Sequence, residues 1–199
     1  MAAFNILVSS LRTGYRRAFR QEEDARSREV VSVLKQVPVF ANLSRRVLRE
    51  LAEAVHNRTY RRDEILYYEG DPGLGLYIIR RGCVRLLTED EDGSVHELRQ
   101  LGESEIFGEL SLFGDLRRNA TAQALTETHV LGFFRPDLHA LTKRDPQAAA
   151  AVTAALAQYL AARQVELMRL MAARENKIAA ATLVHGAIVR SDIIGIPLF

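Results

Sequence analysis

The sequence has few of the residues that build disulfides, metal sites or membrane spans. Its single cysteine, Cys83, excludes an intramolecular disulfide. The five histidines lie far apart and no thiol cluster accompanies them, so we expect no metal site. No run of about 18 uncharged apolar residues is present, which argues against a membrane span. The formal net charge of +2 gives no reason to expect a nucleic-acid partner. The single cysteine fits a reducing compartment, so we expect a cytoplasmic protein.

Charge is nonetheless uneven along the chain, because residues 1–20 carry four arginines and no acidic residue. Apolar residues recur there at the spacing of one helical stripe, at Phe4, Leu7, Val8, Leu11, Tyr15 and Phe19. One interpretation is a helix packed on its own domain or on a second subunit. The other is a basic amphipathic anchor on an anionic membrane surface. We favour the first, because an acidic stretch at residues 22–24 offsets the positive charge.

Several short runs rich in β-branched and aromatic residues follow, each bounded by turn-forming residues. They occupy residues 65–68, 76–79, 84–87, 95–98, 120–125 and 129–134. A helix is predicted before them, because Ser44 is a good N-cap and Val47, Leu48 and Leu51 follow at helical spacing. Many short strands at regular spacing favour a closed roll or sandwich, so we expect a mainly β fold with flanking helices.

The alanine-rich C-terminal part of the chain predicts one long helix. Asp145 and Pro146 suit its first turn, and the helical pattern continues to about Ala181. Leucines approximate a heptad stripe along it, at Leu156, Leu160, Leu167 and Leu170. Two interpretations are equally supported, a helix that covers the roll and a helix that joins a second copy. The apolar tail at residues 193–199 is expected to dock on the protein itself or on a partner.

These patterns divide the chain into three parts. Residues 1–36 are predicted to form an N-terminal helical extension, and residues 37–145 the roll with its flanking helices. Residues 146–199 are predicted to form the long helix and the apolar tail.

One stretch combines the residue types that bind a phosphate and a sugar hydroxyl together. We call it the cassette, and it comprises Phe107, Gly108, Glu109, Leu110, Ser111, Arg118, Asn119, Ala120 and Thr121. Gly108 permits a turn that other residues resist, and a short helix starting near Glu109 would point free N–H groups at an anion. Arg118 supplies a full countercharge in a fork that fits phosphate oxygens. Glu109 is excluded as a phosphate ligand because like charges repel.

The cassette and its surroundings resemble the cyclic nucleotide-binding domain family, which includes bacterial catabolite activators and regulatory subunits of protein kinase A. Matching pieces occur in family order over residues 37–164, namely Phe40-x-x-Leu43, Glu69-Gly70-Asp71, the run from Leu76 to Val84, and the two parts of the cassette. The resemblance implies an α+β or mainly β protein, a jelly-roll-like β-roll flanked by N-terminal helices and a long C-terminal helix. It implies cAMP or cGMP as ligand, with Arg118 on the phosphate and Glu109 accepting a hydrogen bond from the ribose 2′-hydroxyl.

The details of this site stay open in three respects. Arg117 stands where family members often have proline, so it is the alternate to Arg118 as phosphate ligand. Asn119 occupies a position associated with the choice between adenine and guanine, so both bases are considered and adenine is the default. The alternative to a binding site is a structural ion pair between Glu109 and Arg118.

A residue of the long helix closes the pocket in relatives. Tyr159 is placed to stack on a purine, and Leu160 or Arg163 to cap it. Packing or surface exposure is the simpler role for each of these three residues.

We expect a non-enzymatic sensor, because no water-activating group accompanies Glu109 and Arg118. Ligand binding would reposition the long helix and change its contacts with a partner or a second subunit. One alternative is an oligomeric interaction or scaffold protein that keeps the fold without binding nucleotide. Another is an adaptor that binds a membrane surface through residues 1–20. The roughly twenty residues after Lys177 are too few for a winged helix-turn-helix, so no DNA-binding module is expected.

Overall fold

The computed structural model describes residues 25–174. The predictions for residues 1–20, for the apolar tail, and for the end of the long helix beyond residue 174 lie outside this part of the chain. Four α-helices are present in it: α1 (25–36), α2 (Arg45–Ala54), α3 (Arg135–Arg144) and α4 (Pro146–Arg174). A short 3-10 helix spans Glu109–Leu112.

Eight strands form two four-stranded antiparallel sheets that build the roll. They are β1 (His56–Tyr60), β2 (Ile65–Tyr67), β3 (Gly75–Arg81), β4 (Val84–Glu89), β5 (Val95–Leu101), β6 (Ile106–Phe107), β7 (Thr121–Ala124) and β8 (Thr128–Phe134). The strand order is β1-β8-β3-β6 in one sheet and β2-β7-β4-β5 in the other. The predicted β-roll with flanking helices, including a long C-terminal helix, is confirmed.

Two strands were not predicted from the sequence. Strand β1 has mostly polar side chains and lacks apolar alternation, yet its backbone pairs with β8 from His56 opposite Gly132 to Tyr60 opposite Thr128. Strand β6 has only two residues, and it pairs with β3. Both strands depend on a partner that is distant in sequence, so the local pattern does not reveal them.

Strand β3 lies between two apolar cores, which explains its continuous run of apolar residues. Leu76 and Ile78 belong to the core under the helices, whereas Tyr77 and Ile79 belong to the core inside the roll. Successive side chains of a strand point to opposite faces, so each core receives alternate residues. Because β6 pairs with β3 and leads directly into the cassette, the cassette is attached to the most buried part of the molecule.

The helices pack on the β1-β8-β3-β6 sheet, and Ser44 caps α2 as the sequence predicts. The Ser44 hydroxyl accepts a hydrogen bond from the Val47 amide at 3.3 Å, at the start of α2. The Asp145 carboxylate accepts one from the Ala148 amide at 3.0 Å, at the start of α4. Leu156 is fully buried in the core under the helices. The first half of α4 is therefore fixed to the domain.

The second half of α4 is largely exposed. The exposed fractions of Val165, Leu167 and Leu170 are 49%, 49% and 59%. The predicted leucine stripe thus begins in the core at Leu156 and ends in solvent within the described residues. Over residues 25–174, no helix combines the length and the hydropathy of a membrane span.

Candidate functional site

The cassette borders a cavity of about 440 Å³. The cavity wall also includes residues of β2, β4, β5 and α4. Every cassette residue except Thr121 lines it. The Thr121 hydroxyl instead accepts a hydrogen bond from the Glu69 amide at 2.9 Å, so it supports the neighbouring loop. The sequence motif therefore folds into one continuous wall, with its last residue outside the cavity.

Gly108 makes the turn that the sequence predicts. Its backbone is left-handed, with φ 72° and ψ 14°, a conformation that glycine adopts without steric cost. It precedes a single 3-10 turn, Glu109–Leu112, and not a longer helix. One short turn carries little helix dipole, so the positive charge on the cavity wall comes from arginine side chains, among them the buried Arg118.

Arg118 is only 6% exposed and is held against the Gly108 turn. Its Nη1 donates a hydrogen bond to the Gly108 carbonyl oxygen at 3.0 Å, and Nη1 lies 3.5 Å from the Ser111 hydroxyl oxygen. Its guanidinium carbon lies 4.1 Å from the centre of the Tyr67 ring and 5.7 Å from that of Tyr77. Within residues 25–174, the buried Nε has no hydrogen-bond partner and no carboxylate forms an ion pair with Arg118.

Arg117 and Arg118 face different surroundings although both border the cavity. The Arg117 side chain is exposed and donates a hydrogen bond to the Gly70 carbonyl oxygen at 2.7 Å. The backbone of Arg118 is held on both sides, because its amide donates to Asp71 at 2.9 Å and its carbonyl accepts from Gly70 at 2.8 Å. Of the two arginines considered from the sequence, Arg118 is the buried one.

Glu109 is buried, with 2% of the residue exposed, and its carboxylate forms an ion pair with Arg163 of α4. The Arg163 side chain is 48% exposed. The ion pair between Glu109 and Arg118 considered from the sequence is therefore not present in the described residues, and Glu109 pairs with Arg163 instead. This contact joins the cassette directly to the long helix.

The sequence offered three residues that could cover the pocket. Tyr159 and Arg163 line the cavity, whereas Leu160 does not. Tyr159 is half-buried and lies near Glu109. Burial, together with the negative charge of Glu109, raises the pKa of the Tyr159 hydroxyl. That hydroxyl is therefore protonated at neutral pH and is able to donate a hydrogen bond into the cavity.

Sequence reasoning missed the part of the wall that the strands supply. This part comprises Tyr67, Leu86, Leu98, Arg99, Leu101 and Ile106. Alternation along the strands indicates which side chains share a face, but not that the face meets the cassette. Over residues 25–174, no cluster of three or more histidine, cysteine or acidic side chains is suited to hold a metal ion.

Substitution Gly108→Ala should displace Arg118. A Cβ at this position would lie 2.2 Å from Arg118 Nη1, in addition to the strain of the left-handed backbone. Gly93→Ala is the matched control, because Gly93 has φ 83° and its nearest neighbour would be 3.9 Å away. The control should lose about 1–2 kcal/mol of unfolding free energy in a urea titration, from backbone strain alone.

Gly108→Ala should lose clearly more unfolding free energy than Gly93→Ala in the same titration. Equal losses would show that Arg118 accommodates the extra methyl group without cost, contrary to the geometry described above.

Comparison with known proteins agrees with this arrangement. Residues 57–145 match the cyclic nucleotide-binding domain family. The chain is 34% identical over 134 residues to the cyclic AMP receptor protein of Thermus thermophilus, covering 67% of this chain and 62% of that protein. It is 30% identical over 122 residues to a cAMP-dependent protein kinase regulatory subunit of Blastocladiella emersonii, covering 61% of this chain and 30% of that protein. The match thus spans less than two thirds of either relative.

A solved structure shares both sequence and fold with the chain. It is the N-terminal domain of a transcriptional regulator from Streptomyces coelicolor A3(2), with 36% sequence identity and a TM-score of 0.61. The match covers 68% of this chain and 94% of that domain. With the family match, the roll topology and the cassette cavity, this places the chain in a known group of ligand-binding modules. The chain belongs to the cyclic nucleotide-binding domain family.

Proposed function

We propose that this chain is a regulatory module that binds a cyclic nucleotide in the cassette cavity and does not catalyse a reaction. The observation that carries the proposal is the buried guanidinium of Arg118. A charge removed from water costs free energy unless an opposite charge or sufficient hydrogen bonds compensate it. Within the described residues, Arg118 has no carboxylate partner and its Nε is unpaired. An anionic ligand would supply the missing compensation.

A cyclic phosphate fits this requirement. Its oxygens accept hydrogen bonds from a guanidinium fork, and such charge-assisted bonds are stronger than neutral ones. The buried Ser111 hydroxyl lies beside Arg118 and offers a further polar contact. The cavity of about 440 Å³ is within the range of roughly 300–1,000 Å³ that is usual for small-molecule sites.

We assign the ribose to Glu109. Its Oε1 accepts a hydrogen bond from Arg163 Nη1, and the residue lines the cavity. A carboxylate has several acceptor sites, so it is able to accept a further hydrogen bond from a ribose 2′-hydroxyl. A deoxyribose would not make this hydrogen bond to a carboxylate on an almost fully buried residue, which costs roughly 1–3 kcal/mol.

The same carboxylate would couple the ligand to α4. Because Arg163 joins Glu109 to the long helix, a ligand that binds Glu109 changes the energy of that contact. Arg163 is half-exposed and can be rehydrated when it leaves Glu109, but the buried carboxylate then needs another partner, which the ligand would supply. Regulation requires only that the ligand has different affinities for two positions of α4.

We take cAMP as the first ligand to test, because two relatives of the chain are named for cyclic AMP. Asn119, Arg99 and Tyr159 line the cavity and carry polar groups that are able to contact a base. Titrating the protein with cAMP and with cGMP in one series measures whether the site prefers adenine or guanine.

A second copy of the chain is the partner that α4 best supports. Leu167 and Leu170, which are three residues apart on one face of α4, expose apolar surface that a matching helix would cover. The same surface favours a second candidate function, an oligomeric scaffold that keeps the fold without nucleotide control. The two functions differ in one observable, since only the regulatory module binds a cyclic nucleotide.

Substitution Arg118→Ala should remove most of the affinity for cAMP, because it deletes the cation that binds the phosphate. Loss of one partner of a buried charge pair weakens binding by about 30-fold or more. Isothermal titration of both nucleotides into the full chain measures this effect. Arg117→Ala is the matched control and should bind within about twofold of wild type, since its side chain is exposed. Equal affinities of the wild type and Arg118→Ala would remove the proposed phosphate site.

Substitution Glu109→Ala should weaken cAMP binding and reduce discrimination between cAMP and 2′-deoxy-cAMP. The wild type should prefer cAMP by about 5- to 150-fold, the equivalent of one unmade buried hydrogen bond. The ratio should fall towards one in the variant. Glu103→Ala, at an exposed acidic residue in the turn between β5 and β6, should keep the wild-type ratio. A ratio near one in the wild type would contradict the ribose assignment.

Substitution Leu170→Glu should convert a dimer into a monomer, because it places a charge in the proposed apolar interface. Light scattering should give twice the 22.3 kDa chain mass for the wild type and the single mass for the variant. Gln164→Glu adds the same charge at an exposed polar position and should stay dimeric. A monomeric wild type would contradict the partner proposal, and a dimer that binds neither nucleotide would favour the scaffold.

A further inference from the structure

Tyr67 has a position in the cavity that no nucleotide contact proposed above explains. The guanidinium carbon of Arg118 lies over its ring, 4.1 Å from the ring centre. The ring is itself held by two aromatic neighbours, with centre-to-centre distances of 6.0 Å to Tyr77 and 6.1 Å to Phe107. Both neighbours are buried in the core inside the roll. Tyr67 is therefore a firmly packed aromatic ring beneath the long, flexible side chain of Arg118.

We propose that Tyr67 is a positioning residue that holds the Arg118 guanidinium in place for the phosphate. The inference rests on the proposed function and deepens it, because it states how the anion site is kept ready before the ligand arrives. Tyr67 acts through Arg118 and makes no contact with the phosphate in this account.

An aromatic ring is suited to this task in a way that a carboxylate is not. A glutamate or aspartate against Arg118 would neutralise the guanidinium and compete with the phosphate for it. A ring face attracts a cation through its quadrupole but leaves the full charge in place. The N–H groups of a guanidinium point outward from its carbon, so those not bonded to Gly108 stay available for an anion. The ring thus stabilises Arg118 without occupying the site.

The local backbone of β2 directs Tyr67 into the cavity. Strand β2 pairs with β7, and the register shifts between Ile65, opposite Gln123, and Tyr67, opposite Ala122. Such irregularities re-aim side chains and are frequent next to functional sites. The tyrosine itself is largely buried, and burial raises the pKa of its hydroxyl. It is therefore neutral at physiological pH and adds no charge that would repel a phosphate.

The first test compares a variant that keeps the aromatic ring at position 67 with one that removes it. Tyr67→Phe should bind cAMP within about twofold of wild type, since the ring face is kept. Tyr67→Leu should bind about 3- to 10-fold more weakly, because the ligand must then order a freed arginine side chain. Tyr68→Leu is the matched control, because Tyr68 is 59% exposed, and it should bind as the wild type does.

Position 67 is then replaced by phenylalanines that carry one, two or three ring fluorines. Their affinity for cAMP is a readout that a purely structural role would not change. Fluorination weakens the attraction for cations with little change in ring size, so the affinity should fall stepwise along the series. An unchanged affinity across the fluorinated series would overturn the inference. It would also be overturned if Tyr67→Phe were as weak as Tyr67→Leu, since the hydroxyl group and not the ring face would then matter.

The second test uses the ligand-free protein and separates this inference from the proposed function. Urea unfolding is measured for wild type, Tyr67→Leu, Arg118→Met and the double variant. If the ring stabilises the guanidinium, Tyr67→Leu should destabilise the wild type more than it destabilises Arg118→Met. If the two substitutions have additive effects on the unfolding free energy while the wild type binds cAMP normally, this inference is overturned and the proposed function stands. A wild type that binds no cyclic nucleotide would overturn the proposed function and the positioning role with it, whatever the coupling.

Discussion

The buried guanidinium of Arg118 is the interaction on which the rest of the site depends. Burying a cation away from water costs free energy, and several features of the fold hold the guanidinium in its buried position. Gly108 has no side chain to collide with Nη1, and its carbonyl oxygen accepts the shorter of the two hydrogen bonds that the Arg118 guanidinium makes within the described residues. Tyr67 covers one side of the guanidinium without neutralising it. These contacts stabilise the arginine, yet leave its charge for an anion.

The ion pair between Glu109 and Arg163 extends this site to the long helix. Its acidic partner is buried in the cassette, whereas its basic partner is half-exposed on α4. Beyond this contact, α4 continues into solvent with the apolar side chains of Leu167 and Leu170 exposed. A ligand bound to Glu109 would therefore act at the boundary between the part of α4 that is fixed and the part that is available to a partner.

The sequence predicted the features that arise from short stretches of chain. The cassette was found because its residues are close in sequence, and Gly108 was identified because a tight turn needs glycine. The run from Leu76 to Ile79 was identified as a strand from its composition. The partner of Glu109, the contact of Tyr67 with Arg118 and the strand β1 were not predicted. Each depends on residues brought together from distant parts of the chain, and no local pattern encodes such pairings.

The most direct test of the account follows the side chain of Arg118 itself. In protein labelled with nitrogen-15, the Nε–H resonance of Arg118 can be assigned by its absence from an Arg118→Lys variant. Addition of cAMP should shift this resonance strongly, because an unpaired buried N–H group acquires a phosphate neighbour. A resonance that does not move while cAMP binds would place the ligand elsewhere and contradict the central claim. No binding at saturating cAMP would contradict it equally.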